Sequence, residues 1–114
     1  MTPLAAFPAA DRRKVRCVLT DIDDTLTTEG RLQAVAYSAM ERLAGAGIAV
    51  IPVTGRPAGW CDLIARQWPV AAVVGENGAL WMRHDEAQRR FVRRWWVEEA
   101  QRKADHGRLW DIAR

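Results

Sequence analysis

Three short apolar runs punctuate the chain, and each ends abruptly in polar residues, joined by glycine after the second and third. The first, Val15-Arg16-Cys17-Val18-Leu19-Thr20, leads into Asp21-Ile22-Asp23-Asp24-Thr25-Leu26-Thr27. The second, Ile48 to Val53, ends at Thr54-Gly55-Arg56-Pro57, and the third, Val70 to Val74, ends at Gly75-Glu76-Asn77-Gly78-Ala79. Runs of this length bounded by turn residues read as strands buried on both faces. Pro52 fits that reading of the second run less well than its neighbours do. Between the runs the apolar positions change to helical spacing. Val35, Ala36, Ala39, Met40, Leu43 and Ala44 form one such set, stopped by Gly45 and Gly47; Trp60, Leu63 and Ile64 belong to another. Pro57 suits the first turn of that second helix, where its missing N–H costs nothing, and Trp68-Pro69 closes it. Residues 27–33 are polar around Gly30 and read as a loop.

Strand, helix, strand, helix, strand predicts parallel βαβ units with right-handed crossovers. After Gly78 the rhythm changes. Residues 79–83 and 91–96 flank a polar turn, 84–90, as two strands of a hairpin, and a weakly patterned helix starts at Val97 and is interrupted by Gly107. The organisation expected is an N-terminal extension over 1–14, an α/β core over 15–79 and a separate substructure over 80–114.

Composition narrows the class without naming a function. At 114 residues, with 49% hydrophobic and 27% charged, the chain has the make-up of one folding domain and not of a disordered segment. Six Trp against one Tyr and two Phe are expected to fill core and edge positions. Cys17 and Cys61 make no disulfide framework: the first reads as a small buried hydrophobe in a strand, the second as a helical residue. Both are taken as reduced thiols of a cytoplasmic protein. Met1 to Ala10 lacks the apolar stretch of a signal peptide, and no segment approaches the roughly 20 apolar residues that span a membrane. The net charge of +3 is concentrated at Arg12, Arg13, Lys14 and Arg16 and again at Arg83, Arg89, Arg90, Arg93 and Arg94, beside Trp95 and Trp96. Asp85 and Glu86 dilute the second cluster, which reads as a solvated face; nucleic acid is not expected as a partner.

The chemistry lies at the strand ends. In open α/β sheets ligands bind outside the carboxyl ends of the strands, so Asp21/Asp23, Thr54/Gly55/Arg56 and Glu76/Asn77 would converge on one crevice. Two acids at such an end can hold Mg²⁺, and one of them can attack phosphorus. Glu76 has a second reading, as a loop acid that caps a backbone or pairs with Arg56. His84 and His106 have no partner at ligand spacing and read as surface residues.

These segments resemble the haloacid dehalogenase-like superfamily, in particular its sugar-phosphatase-type branch with a large α/β cap after the third core strand. Asp21-Ile22-Asp23-Asp24-Thr25 matches the family's first motif, Thr54-Gly55-Arg56-Pro57 its second, and Gly75-Glu76-Asn77-Gly78-Ala79 the signature before the cap, so that the resemblance covers residues 15–80. It implies a three-layer Rossmann-like parallel sheet, the first half of such a core, followed by the start of an α/β cap. It implies a Mg²⁺-dependent phosphatase acting on a small phosphorylated metabolite, such as a sugar phosphate, through an aspartyl-phosphate. Carried over by position, Asp21 is the nucleophile and a metal ligand. Asp23 is the general acid/base and gives the metal its main-chain carbonyl. Thr54 binds the phosphoryl group through its hydroxyl and N–H, and Gly55, Arg56 and Asn77 line the substrate. Asp24 stands where the family often has glycine. The family's Lys and acidic pair have no counterpart in residues 80–114: Lys103 falls in a helix, and Asp105 and Asp111 follow no strand. The chain therefore reads as truncated, with its first strand an exposed edge. The alternative reading is a catalytically inactive remnant or interaction module that needs a partner or self-association through that edge.

Overall fold

The apolar runs form strands, and the periodic segments between them form helices. In the computed structural model, which describes residues 1–114, a short helix α1 (Ala9–Arg12) precedes strand β1 (Cys17–Thr20). A small hairpin, β2 (Thr27–Thr28) and β3 (Arg31–Leu32), leads into helix α2 (Ala34–Gly45) and strand β4 (Ala49–Pro52). Helix α3 (Ala58–Gln67) and strand β5 (Val73–Gly75) follow, then a hairpin of β6 (Leu80–Asp85) and β7 (Arg90–Trp95), and finally helix α4 (Glu99–Ala113).

The continuous three-layer parallel sheet expected from the sequence is not formed, and Pro52 supplies the reason. β1 and β4 run parallel, with Cys17 opposite Ala49 and Thr20 opposite Pro52. The N–H groups of Ala49 and Val53 donate to Arg16 and Thr20, at 3.0 and 2.8 Å, on the β1 side. The intervening position 52 therefore faces β5, where proline has no proton to give. β4 and β5 meet through a single parallel bridge, Val53 with Val74. Beyond it, β5, β6 and β7 form an antiparallel sheet. The fold is thus mixed α/β: one parallel pair joined to a three-stranded antiparallel sheet.

The second departure is the missing third layer. Right-handed crossovers between successive neighbours put α2 and α3 on one face, and Tyr37 of α2 donates to the carbonyl of Gln67 in α3 at 3.2 Å. Under them lie Val50 and Pro52, both buried. The opposite face is uncovered. Leu19 is 68% exposed there and Val53 37%, and Cys17, expected inside, is exposed beside them. By the period of two along a strand, Cys17 and Leu19 share the side that faces away from the helices.

The core sits under α3 instead. Ile22, Cys61, Ile64, Ala65, Val73, Leu80 and Met82 form one buried cluster, with Trp68, Phe91 and Trp95 packed at its rim. Of the tryptophans none is fully buried, and Trp60, Trp81, Trp96 and Trp110 are exposed. Residues 27–33, expected as a loop, close into the β2–β3 hairpin because Glu29 and Gly30 both take positive φ, at 50° and 73°, as a tight two-residue turn of matching twist requires. The β6–β7 hairpin is present, and α4 runs unbroken through Gly107. The radius of gyration is 17.0 Å, against about 13 Å for a compact domain of this length. The excess reflects α4, none of whose residues is buried.

Candidate active site

The strand register brings the three polar segments to one edge. Asp21 follows Thr20, whose carbonyl accepts from Val53; Thr54 donates its N–H to Val74 at 2.9 Å, and Gly75 follows that. Within the first segment, Ile22 is 0% exposed while Asp21 and Asp23 on either side are exposed. Just past the end of β1, one apolar residue is thus anchored in the core and two carboxylates are left outside. The Ile22 carbonyl then gathers the turn, accepting from the N–H groups of Thr25, Leu26 and Thr27 at 3.2, 2.9 and 2.9 Å and from the Thr27 hydroxyl at 3.1 Å. Asp24 takes φ 56° in this turn. That is the left-handed region where glycine is the ordinary choice and Asp among the better tolerated alternatives.

The two acids differ sharply in what they touch. Asp21 accepts the N–H of Ile22 on Oδ1 at 2.8 Å, and its other oxygen has no partner. It enters no ion pair. Asp23 is gripped by Arg56 through two bonds, Nη2 to Oδ1 at 2.6 Å and Nε to Oδ2 at 3.1 Å. The guanidinium also lies over the Trp60 ring, 4.9 Å from its centre. The hydrogen bonds from Arg56 hold the Asp23 carboxyl below the ordinary carboxylate range and raise the guanidinium in turn.

The second and third segments are stitched into one piece. Asn77 donates its N–H to Thr54 at 3.1 Å, and Glu76 donates its own to Arg56 at 3.1 Å. Glu76 Oε1 accepts the N–H of Ala58 at 3.0 Å. It therefore caps the first turn of α3 and makes no ion pair with Arg56. The Asn77 amide lies against Gly55: a Cβ added there would meet Asn77 Oδ1 at 3.0 Å. Thr54 is 3% exposed, and its hydroxyl accepts the N–H of Arg56 at 3.1 Å. Its own N–H is engaged with Val74, which leaves the hydroxyl proton as its donor toward a bound anion. The N–H groups of Asp23 and Gly55, by contrast, have no partner in the chain.

Donors suited to a hard cation are few. No group of three or more His, Cys, Asp or Glu side chains is gathered as a metal cluster. Lys103 is engaged with Glu99 on α4 at 2.7 Å, away from this edge. The second lone pair of Asp21 Oδ1, beside the one that accepts the Ile22 N–H, and the carbonyl of Asp23, which accepts no hydrogen bond, do remain. Mg²⁺ keeps several waters and takes one or two carboxylates plus substrate phosphate. The pair fits it on those terms.

The Asp23–Arg56 fork carries a pH dependence. A carboxyl whose value is depressed on folding contributes stability above its ordinary value, 3.8, and loses it as pH falls through the depressed one. Asp23 is 54% exposed and its partner 18%, so the contribution to stability is small. Arg56→Gln is expected to move the Asp23 titration upward, toward 3.8, in a carboxyl NMR titration. An unmoved midpoint would show that the fork does not hold Asp23 in solution.

Sequence reasoning missed Ile22 as a core anchor, Cys61 against Gly75, and Trp60 beside Arg56; only the aromatic identity of Trp60, four positions past Arg56, hinted at the last. Residues 18–96 match the family model described as haloacid dehalogenase-like hydrolase. No curated protein and no solved structure matches the chain.

Proposed function

This chain belongs to the haloacid dehalogenase-like hydrolases, and on that premise we propose that it hydrolyses the phosphate monoester of a small metabolite at the edge formed by Asp21, Asp23, Thr54, Gly55, Arg56 and Asn77. The observation that carries this reading is the contrast between the acids: Asp21 has an unengaged oxygen facing solvent, and Asp23 is tied to a guanidinium. That contrast supports reading Asp21 as the nucleophile and Asp23 as a group whose protonation a phosphate can control.

In the proposed reaction the free oxygen of Asp21 attacks phosphorus and the bond to the ester oxygen breaks. The leaving oxygen takes the proton of the Asp23 carboxyl. In the second half, the Asp23 carboxylate takes a proton from water, whose oxygen attacks phosphorus as the bond to Asp21 breaks, releasing inorganic phosphate. The unpartnered N–H groups of Asp23 and Gly55 and the Thr54 hydroxyl receive the phosphoryl oxygens. Arg56 has two claims on it, Asp23 in the resting form and the phosphate when substrate arrives. A phosphate that draws the guanidinium away lets Asp23 rise toward protonation at the moment a proton is needed. When bound at Asp21 and the Asp23 carbonyl, Mg²⁺ would supply positive charge that offsets repulsion between the nucleophile and its anionic target. The cap-bearing, sugar-phosphatase-type branch and the division into a partial core over 15–79 and a cap beginning at 80 belong to this proposal.

A second reading, an interaction module, is favoured by the lone pairing of β1: β4 occupies one side only, leaving the other edge's main-chain groups open. One experiment separates the two. Incubation with phenyl phosphate and Mg²⁺ is expected to release phosphate, and removal of the metal by EDTA to stop it. Release no faster than the buffer blank overturns the hydrolase reading, and the second reading then requires sedimentation above the 12.8 kDa monomer.

A further inference from the structure

A cleft of about 350 Å³ opens beside Arg56, lined by Leu32, Trp60, Leu63 and Trp68 together with Thr27 and Gly30. That volume lies at the small end of the range for ligand sites. Its wall is unusual for a surface hollow. Trp60 is 52% exposed and Leu63 42%, one turn apart on α3, and both present carbon to solvent next to the most strongly engaged charge in the site. The β2–β3 hairpin brings Leu32 to the same cleft. No acidic side chain lines it.

Resting on the reading above, we infer that this cleft is the leaving-group subsite and that it selects esters whose leaving group is flat and apolar over polyhydroxylated ones. Geometry carries the step. The leaving oxygen must lie at Asp23, the proton donor. Arg56 bonds Asp23 at one end and lies 4.9 Å from the centre of the Trp60 ring at the other. A group that leaves past Asp23 on this side therefore meets the Trp60 face within the width of one guanidinium. A flat ring can stack on that face once the phosphate draws the guanidinium off it, and exclude water from carbon on both partners. A sugar entering the same cleft would turn hydroxyls toward Leu32, Leu63 and the indole carbons, which offer no hydrogen bonds and leave those groups unsatisfied. Trp60 is then a specificity residue in direct contact with substrate, and its contact with Arg56 couples binding in the cleft to release of Asp23.

The test compares 1-naphthyl phosphate with glycerol phosphate in wild type, Trp60→Ala and Trp60→Phe. The ratio of kcat/KM for the aryl over the polyol ester is expected to fall roughly tenfold in Trp60→Ala, the scale of one lost stacking partner, and to be largely kept in Trp60→Phe. Hydrolysis that needs Asp21 but shows the same ratio in all three proteins overturns the subsite and leaves the hydrolase reading standing. If wild type hydrolyses neither ester, that reading falls and calorimetry decides the cleft alone. Naphthylmethylphosphonate binding at least tenfold tighter than methylphosphonate, with the difference lost in Trp60→Ala, supports it. Equal affinities overturn it.

Discussion

Replacing Asp21 with Asn is expected to lower phosphate release by roughly 10,000-fold or more, about 5.5 kcal/mol of transition-state stabilisation. The substitution keeps shape and removes charge. Asn can still accept the Ile22 N–H through its side-chain oxygen, as Asp21 Oδ1 does at 2.8 Å, so the turn has no cause to change. What is lost is the second oxygen, the one without a partner, on which the proposed attack depends. An amide offers no comparable electron pair and does not form the phosphoryl intermediate. Because Asp21 is exposed and enters no ion pair, its removal leaves no buried charge behind. Circular dichroism and the melting temperature are therefore expected to stay close to wild type. A variant that folds and still turns over at more than a few per cent would remove Asp21 from the reaction.

The largest effect on stability is expected at Gly75, where alanine should cost about 1–3 kcal/mol. The backbone is not the obstacle, since φ −117° and ψ 172° suit any residue. Space is: a Cβ at this position would lie 2.4 Å from Cys61 Sγ and 3.4 Å from the Arg56 carbonyl. Cys61 is 0% exposed among Ile22, Ile64 and Val73, so the sulfur has nowhere to retreat. Burial also raises its thiol pKa, with the Glu76 charge adding to the effect. The strain would push on the Arg56 carbonyl, which holds the Glu76 N–H at 3.1 Å, and so on the joint between two site loops. Cys61→Ala removes the obstructing atom. The double variant should therefore melt above Gly75→Ala alone, a coupling that urea denaturation can measure. If Cys61→Ala only adds to the loss, the contact does not govern the position.

How much of this could be read in advance depended on distance along the chain. The strands and their order were legible because each apolar run ended abruptly in polar residues, and the register of three motifs pointed to one edge. Asp21 and Asp23 were legible as a pair; that Asp23 is tied to Arg56, 33 positions later, was not, because a side-chain fork across two loops leaves no periodic trace. Pro52 was visible as an oddity. Its consequence, a sheet joined by one bridge, required knowing which strand its missing N–H faced. Cys17 failed for a related reason: an alternating strand says which residues share a face and not whether anything covers that face. The donor role expected of the Thr54 N–H met a competitor, the Val74 carbonyl, that only tertiary pairing supplies.

The way the site loops are fastened together has a consequence for how the protein responds to its medium. The segments at Thr54 and at Asn77 are joined by main-chain hydrogen bonds, which dissolved salt scarcely touches. Beyond Thr20, the Asp21 segment reaches them through the Arg56–Asp23 fork, more than half exposed at its acidic end. Counter-ions at ordinary concentration act over about 10 Å and weaken such a contact. Ionic strength thus becomes a tuning variable, setting how firmly the Asp23 carboxyl is held beside the groups that must receive the phosphate.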